Sequence, residues 1–406
     1  MFNILYNIGI ELFMLAVVAY SSVNKKAAKR FRGNNHWKRL PRDLFADQGS
    51  IWFHCASLGE FEQARPIIDR LVKDESAPPI LLTFFSPSGY EFRKDVQGVC
   101  AVTFMPFDRP RDVKAFLDWA NVKKAVFIKY ELWFNSLHQL KSRSIPVALV
   151  SAHFPNNHWV IKYPVLGRKL STFDKIFTQN LETQSQLEKI GLDNAEYAGD
   201  TRFDRVIKVS QEDYNQPNLE KWSSTITLVI GSNWPSDDEI IIQALARNER
   251  LKVMVVPHEL DPAQYRSWKA IFGSDLVSFS EIDSNQEIEQ RIVFVDRMGL
   301  LSKLYRYADM TYIGGGFGQN VHNTLEAAVY GIPVIFGPNN ARFHEIQQLK
   351  KLGAGLEINN SSEFEKVLTD TIKDEAFRAD TELTLQKFFE DKCGASSLVI
   401  EWLEKR

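Results

Sequence analysis

The sequence predicts an α/β protein of two doubly wound, Rossmann-like domains with a separate N-terminal helix, and three observations carry that prediction. The chain has 406 residues, more than one hydrophobic core ordinarily supports and enough for two domains of common size. Beyond residue 45, short runs of β-branched and aromatic residues alternate with segments of helical periodicity, the habit of a parallel sheet flanked by helices. Ahead of them, Ile4 to Val23 is apolar apart from Asn7 and Glu11, and is followed at once by Lys25, Lys26, Lys29, Arg30 and Arg32.

That first stretch reads as a membrane anchor. It barely reaches the roughly 20 apolar residues a spanning helix needs, and it holds a carboxylate that is costly at the bilayer centre, so a span and a shallow insertion both fit. A secretory signal would carry its positive charges before the apolar run, whereas here they come after it. Basic flanks prefer the cytoplasmic side and anionic lipid, and Lys38, Arg39 and Arg42 extend the patch. Residues 1–44 are therefore assigned as anchor and basic flank on an inner, cytoplasmic membrane, with the remaining domains facing the cytoplasm. An amphipathic helix packed on its own domain is the alternative.

The domains follow in order. Residues 45–210 read as one Rossmann-like domain with strands at Ile51 to His54, Pro79 to Phe84, Ala125 to Ile128, Val147 to Ser151 and Lys175 to Thr178. After the first strand, Ala64, Ile67, Ile68 and Leu71 recur at helical spacing. The polar stretch 211–224, with Pro217 and Asn218, reads as a linker. Residues 225–382 form the second domain, with strands at Ile226 to Ile230, Leu251 to Val256, Val277 to Phe279, Ile292 to Val295, Met310 to Ile313 and Pro333 to Phe336. Residues 383–406 read as one or two helices that pack back across the junction.

Composition removes several classes. Apolar residues at 44% and charged ones at 25% sit in the ordinary globular range, which favours neither disorder nor a polytopic membrane protein. A formal net charge of −2 argues against a nucleic-acid binder, which needs a concentrated basic excess. Cys55, Cys100 and Cys393 show neither metal-ligand spacing nor an even count.

Ligands of open α/β sheets bind beyond the carboxyl ends of the strands, so the loops leaving them are searched first. Cys55-Ala56-Ser57-Leu58-Gly59-Glu60 leaves the first strand. Glu60 there suits a general base, because an attacking hydroxyl needs an acceptor for its proton; Ser57 and Glu60 suit a helix cap equally well. Gly314-Gly315-Gly316-Phe317-Gly318 follows a strand of the second domain. The amides around Gly315, Gly316 and Gly318 could cradle a phosphate without metal, with Glu326 accepting from ribose hydroxyls. A tight strand-to-helix turn explains the glycines as well, and their spacing is not that of a dehydrogenase.

Further candidates stand at other strand ends. Pro257-His258 closes one strand, Glu131 follows another, and Arg202 with Asp204 offers a cation for an anionic ligand or a surface salt bridge worth little. Asp237-Asp238-Glu239 follows Pro235 and reads as the first turn of a helix, where acids suit the dipole, rather than a metal site.

Taken together these segments resemble the Kdo transferases of lipopolysaccharide synthesis, glycosyltransferases of GT-B architecture. The resemblance runs nearly end to end: the anchor and basic flank, Ala56 to Glu60 with Ala64-Arg65-Pro66, Thr83 to Gly89, Pro106-Phe107-Asp108, Glu131-Leu132-Trp133, Gly199 to Asp204, Asp296 to Gly299, Gly314 to Gly318, His322 to Glu326 and Gly337-Pro338. It implies an inverting transfer of Kdo, an acidic octulosonic sugar, from CMP-Kdo to a lipid A precursor, lipid IVA, with Glu60 as base. By the same resemblance Glu131 and Arg202 stabilise the transition state, Arg202 standing where the family often has Lys. Pro257, His258, Arg297, Met298, Gly299, Asn323, Thr324, Leu325 and Glu326 match the segments that bind CMP. Leu58 departs from the usual Val, and His258 and Arg297 lie in variable stretches.

The chemistry agrees. An inverting transfer needs a base on one face of the anomeric carbon and a stabilised leaving group on the other. CMP leaves as a monophosphate, so amides and a cation such as Arg202 suffice, with neither cofactor nor metal expected. The expected partners are CMP-Kdo, the lipid A precursor and the inner membrane surface, and no nucleic acid. Two rivals remain: a glycosyltransferase of the same architecture with another donor, and a membrane-tethered nucleotide-binding protein that gains nothing from Glu60.

Overall fold

Ile51, Trp52, Phe53 and Cys55 leave no polar face for water, so the strand that holds them must be covered on both sides. The computed structural model, which describes residues 2–248, 251–282, 287–318 and 320–405, puts that strand, β1 (Ser50–Cys55), in the interior of a seven-stranded sheet and buries all six of its residues. Its neighbours are β2 (Ile80–Phe84), β3 (Ala101–Phe104), β4 (Val122–Ile128), β5 (Val147–Ala152), β6 (Lys175–Thr178) and β7 (Ala195–Tyr197), in the order β3-β2-β1-β4-β5-β6-β7. Every pairing in it is parallel.

The second sheet holds β8 (Thr227–Asn233), β9 (Lys252–Pro257), β10 (Leu276–Ser278), β11 (Ile292–Phe294), β12 (Met310–Ile313), β13 (Val334–Phe336) and β14 (Gly355–Glu357). Their order is β10-β11-β9-β8-β12-β13-β14, again with all pairings parallel. Two doubly wound parallel sheets are the expected fold class. β3, β7 and β14 lie beyond the anticipated strands, and all three sit on sheet edges. An edge strand is covered less fully, so it needs no apolar run to betray it; Glu196 and Glu357 sit in two of them.

The chain divides into two units, Met1–Arg205 with Lys392–Arg406, and Val206–Asp391. The division falls inside the helix Thr201–Ser210 rather than in the polar stretch 211–224. That stretch belongs to the second unit: it contains the helix Pro217–Trp222, whose Leu219 and Trp222 are buried, and the Trp222 indole donates to the Gln290 carbonyl at 2.7 Å. The chain then returns. Helix Ala395–Glu404 packs Val399, Ile400 and Leu403 into the first unit's core with Ile67 and Leu71. Its start is capped by Asp204, which accepts from the amides of Gly394 and Ser396 at 2.6 Å each.

The helix Phe2–Tyr20 is long and apolar enough to cross a membrane, and its polar residues explain how it lies. Asp108 accepts from Tyr6 Oη at 2.7 Å, Asn7 Oδ1 accepts from Asn135 Nδ2 at 2.7 Å, and Glu11 pairs with Arg109 at 2.7 Å. Asn7 and Glu11, four residues apart, lie on one helix face with Tyr6 beside them, and that side is docked on the first unit. Ile4, Leu5, Ile8, Leu12 and Leu15 are exposed on the other. The carboxylate that would be costly in a bilayer is thus matched by the protein itself.

Candidate functional site

In the first sheet the strand order reverses between β1 and β4, the crevice where ligands of such folds bind, and two loops meet there. After β1, Ser57 caps the helix Leu58–Leu71 by accepting from the Glu60 amide at 3.4 Å. Glu60, only 8% exposed, reaches back so that its Oε2 accepts from the Ala56 amide at 2.5 Å. The capping geometry and a carboxyl held at the crevice are therefore one arrangement. After β4 come Lys129, Tyr130 and Glu131. Lys129 has φ +63°, a left-handed conformation that a lysine adopts only when its surroundings enforce it. Glu131 Oε2 accepts from the Trp133 indole at 2.6 Å and lies 3.3 Å from His54 Nε2.

Electrostatics ties these groups together. Burial, and then the charge of Glu131, raise the Glu60 carboxyl to about 8, against the lowering pull of the Ala56 amide and Lys129. Such a group holds and releases a proton near neutrality, which is what a general base requires. The Tyr130 hydroxyl is raised by burial and by Glu60, and lowered by Arg202. Tyr130 thus feels both Glu60 and Arg202, and Glu60 feels Glu131, which places the three in one neighbourhood.

Arg202 is no surface ion pair. Its Nε lies 2.9 Å and its Nη2 2.6 Å from Asp200 Oδ2, and Asp200 is 6% exposed. Burial would raise the Asp200 carboxyl, but the Arg202 guanidinium and its hydrogen bonds hold it below the ordinary value. Gln179 Nε2 also donates to Asp200. Asp204, the other residue of that segment, is the cap of the C-terminal helix.

In the second sheet the order reverses between β8 and β12. The candidate segments follow strands on both sides of β8: His258 after β9 and Arg297 to Gly299 after its neighbour β11 on one side, and Asn323 to Glu326 beyond β12 on the other. Pro257 ends β9 itself. The Arg297 guanidinium lies 5.6 Å over the Phe279 ring, Met298 is exposed, and Gly299 takes φ +82°. Asn323 Oδ1 accepts from the Leu325 amide at 3.1 Å and its Nδ2 donates to Glu326 at 3.1 Å. Thr324 and Leu325 are fully buried.

The glycine turn has a structural explanation that its sequence did not show. The Gly314 amide donates to Gly231 O at 2.9 Å, Gly315 to Asp237 Oδ2 at 2.9 Å, and Gly318 to Gly315 O at 3.1 Å. A Cβ on Gly316 would stand 2.5 Å from the Gly337 nitrogen, so the residue is glycine because two backbones touch there. Of the three glycines considered for a phosphate, the amides of Gly315 and Gly318 are engaged within the protein. Asp237, fully buried, joins the turn to its helix Pro235–Leu245, accepting also from Trp234 N and Tyr312 Oη at 2.9 Å each. Asp238 is held beside it by Asn233 and by Gln264 at 2.9 Å. The acidic run is thus the first turn of a helix, and among the described residues no group of three or more His, Cys, Asp or Glu is placed for a metal.

Sequence reasoning passed over Trp234 and Asp200. Both follow strands, and only the sheet order shows which neighbours they meet. Ser151 and Ser232, at φ +54° and +53° near the carboxyl ends of β5 and β8, add strained backbone at the same edges.

Residues 25–205 match the family described as 3-Deoxy-D-manno-octulosonic-acid transferase (kdotransferase). The chain is 28% identical over 337 residues to the 3-deoxy-D-manno-octulosonic acid transferase of Aquifex aeolicus, covering 80% of this chain and 86% of that one. To the enzyme of the same description from Chlamydophila psittaci it is 26% identical, over 78% of this chain and 76% of that one. Among solved structures, the UDP-GlcNAc 2-epimerase of Neisseria meningitidis bound to UDP-GlcNAc matches with a TM-score of 0.56 at 13% identity, over 88% of this chain and 100% of that one. Acinetobacter baumannii MurG matches with a TM-score of 0.56 at 12% identity, over the same shares of 88% and 100%. These structures share the GT-B-like architecture of two parallel α/β sheets.

Proposed function

We propose that this chain, a glycosyltransferase carrying the domain of the Kdo transferases, moves Kdo from CMP-Kdo onto a lipid A precursor, lipid IVA, with inversion and with Glu60 as base. The observation that carries the reading is that the matched segment, residues 25–205, contains Glu60 in a crevice where burial and Glu131 raise its carboxyl to about 8. In the proposed step a glucosamine hydroxyl oxygen bonds to the anomeric carbon of Kdo and its proton passes to Glu60. The bond from that carbon to the CMP phosphate oxygen breaks, and CMP departs with the electron pair. Arg202, held by Asp200, supplies positive charge near the reacting centre. Glu131 keeps Glu60 basic and, with Trp133 and His54, fixes the crevice wall. CMP would lie at the carboxyl edge of β9, β11 and β12, against Pro257, His258, Arg297, Met298, Gly299 and Asn323 to Glu326.

The acceptor is a lipid, and the helix Phe2–Tyr20 suits a surface anchor: its polar face is docked on the first unit, and its exposed Ile4, Leu5, Ile8, Leu12 and Leu15 enter the cytoplasmic leaflet of the inner membrane in the plane of the interface. The basic residues that follow meet anionic headgroups. The test is transfer by the full chain in detergent, with freshly generated CMP-Kdo, lipid IVA and a chelator, read as the mass of the lipid. A gain of one or more Kdo units is expected; none, from folded protein that binds CMP, points to another sugar or acceptor.

A further inference from the structure

Three rings from three separate loops lie against one another at the carboxyl edge of the second sheet. Trp234, just after β8, stacks on His258, just after β9, with centroids 4.4 Å apart and planes at 29°. His258 stacks on His322, beyond the glycine turn, at 4.2 Å and 18°. Trp234 Nε1 then donates to His322 Nε2 at 2.8 Å. The His322 backbone is pinned as well, its amide donating to Gly314 O at 3.2 Å.

The hydrogen bond fixes a proton. An indole N–H is a donor only, so Nε2 of His322 presents its lone pair, and a neutral imidazole with that lone pair used carries its hydrogen on Nδ1. Nδ1 has no hydrogen-bond partner among the described residues. The ring is also kept neutral: burial, and then His258, lower His322 to about 4, and burial lowers His258 too. The charged groups packed around the stack are Glu259 beside His258 and Asp237 beneath the glycine turn.

We propose that His322 binds the donor nucleotide's phosphate through its Nδ1–H, and that Trp234 is the positioning residue that sets this tautomer. The inference rests on the CMP-sugar reading above. The glycine turn offers a phosphate fewer donors than its sequence suggests, because its Gly314, Gly315 and Gly318 amides already have partners within the protein. A neutral donor holds the phosphate by direction rather than by charge, which suits a group that must leave as CMP.

The test uses the full chain in detergent. Nitrogen-15 spectra of histidine-labelled protein, assigned with His322→Ala, should show His322 protonated at Nδ1, and Trp234→Phe should release it to a mixture of tautomers. Calorimetric titration with CMP and with cytidine separates the phosphate from the nucleoside. His322→Ala should weaken CMP about tenfold or more, the scale of one hydrogen bond to a charged group, and leave cytidine unchanged. His322→Asn, whose amide can replace the Nδ1 donor, should recover most of that loss. An equal loss for CMP and cytidine would make His322 part of a base-stacking wall and overturn the inference. So would unchanged CMP affinity, including the case where only the KM for CMP-Kdo rises, which would assign the donor to the sugar carboxylate. A wild-type protein that takes up no CMP would remove the donor reading itself, and the inference with it.

Discussion

Replacing Glu60 by glutamine keeps an oxygen to accept from the Ala56 amide and removes only the ionisation, so the variant isolates what the buried carboxyl costs the fold. With a folded-state value of about 8 against 4.5, the folded protein binds this proton more tightly than the unfolded chain. Its contribution to stability is therefore fully present below pH 4.5 and is lost as pH rises through 8. Linkage gives a penalty in the wild type of roughly 1 kcal/mol at pH 5, about 3 at pH 7 and about 5 above pH 8.5. Glu60→Gln should thus be more stable than wild type by a margin that widens over this range, while transfer falls about 10²- to 10⁴-fold as the base is lost. Urea unfolding of both proteins at pH 5, 7 and 8.5, followed by tryptophan fluorescence, measures the margin. A difference that does not change with pH would mean that Glu60 ionises with ordinary affinity, and the electrostatic case for it as base would fail.

Glu131→Gln removes the charge that raises Glu60 after burial, so the acid limb of the kcat/KM pH profile should move to lower pH; a limb that stays put refutes the coupling. Arg202→Ala strands the buried Asp200 carboxylate, and a cost of about 3–5 kcal/mol is expected at pH 7. Because Asp200 is held below its ordinary value, that cost should shrink as pH falls toward 3, which urea midpoints at the two pH values will show. Gly316→Ala drives a Cβ to 2.5 Å from the Gly337 nitrogen and should lower the Tm and weaken CMP binding together, costing about 1–3 kcal/mol. Leu5→Asp with Leu12→Asp should shift the protein from anionic vesicles to supernatant in a flotation assay without changing its Tm, since both side chains are exposed. Unchanged flotation would count against the in-plane anchor.

The central strands were legible because burial on both faces forces an apolar run, as in Ile51 to His54 or Met310 to Ile313. The edge strands β7 and β14 were not, because partial cover tolerates polar residues such as Glu196 and Glu357, and β3 is only four residues long. The same local rule put Glu60, Glu131 and the His258 segment at strand ends, and it also placed Asp237 and Asp238 in the first turn of a helix. What it could not weigh was the environment of each. Glu60 alone fits a helix cap as well as a base; its raised affinity for a proton comes first from burial and then from Glu131, which is 71 residues away in sequence and is brought near by the pairing of β1 with β4.

Sequence by itself determined which residues had to be buried, where the chain turned and which chemical groups were available, since periodicity and turn chemistry act over a few neighbouring positions. Only the tertiary structure decided which of those groups meet. The glycine turn became a contact between backbones and a bond to Asp237, Glu11 found Arg109 rather than lipid, and Trp234 found His322. Each of these depends on sheet order or docking between segments far apart in the chain, and the free energy of a buried charge or a hydrogen bond depends on its neighbours in space, whatever their distance in sequence.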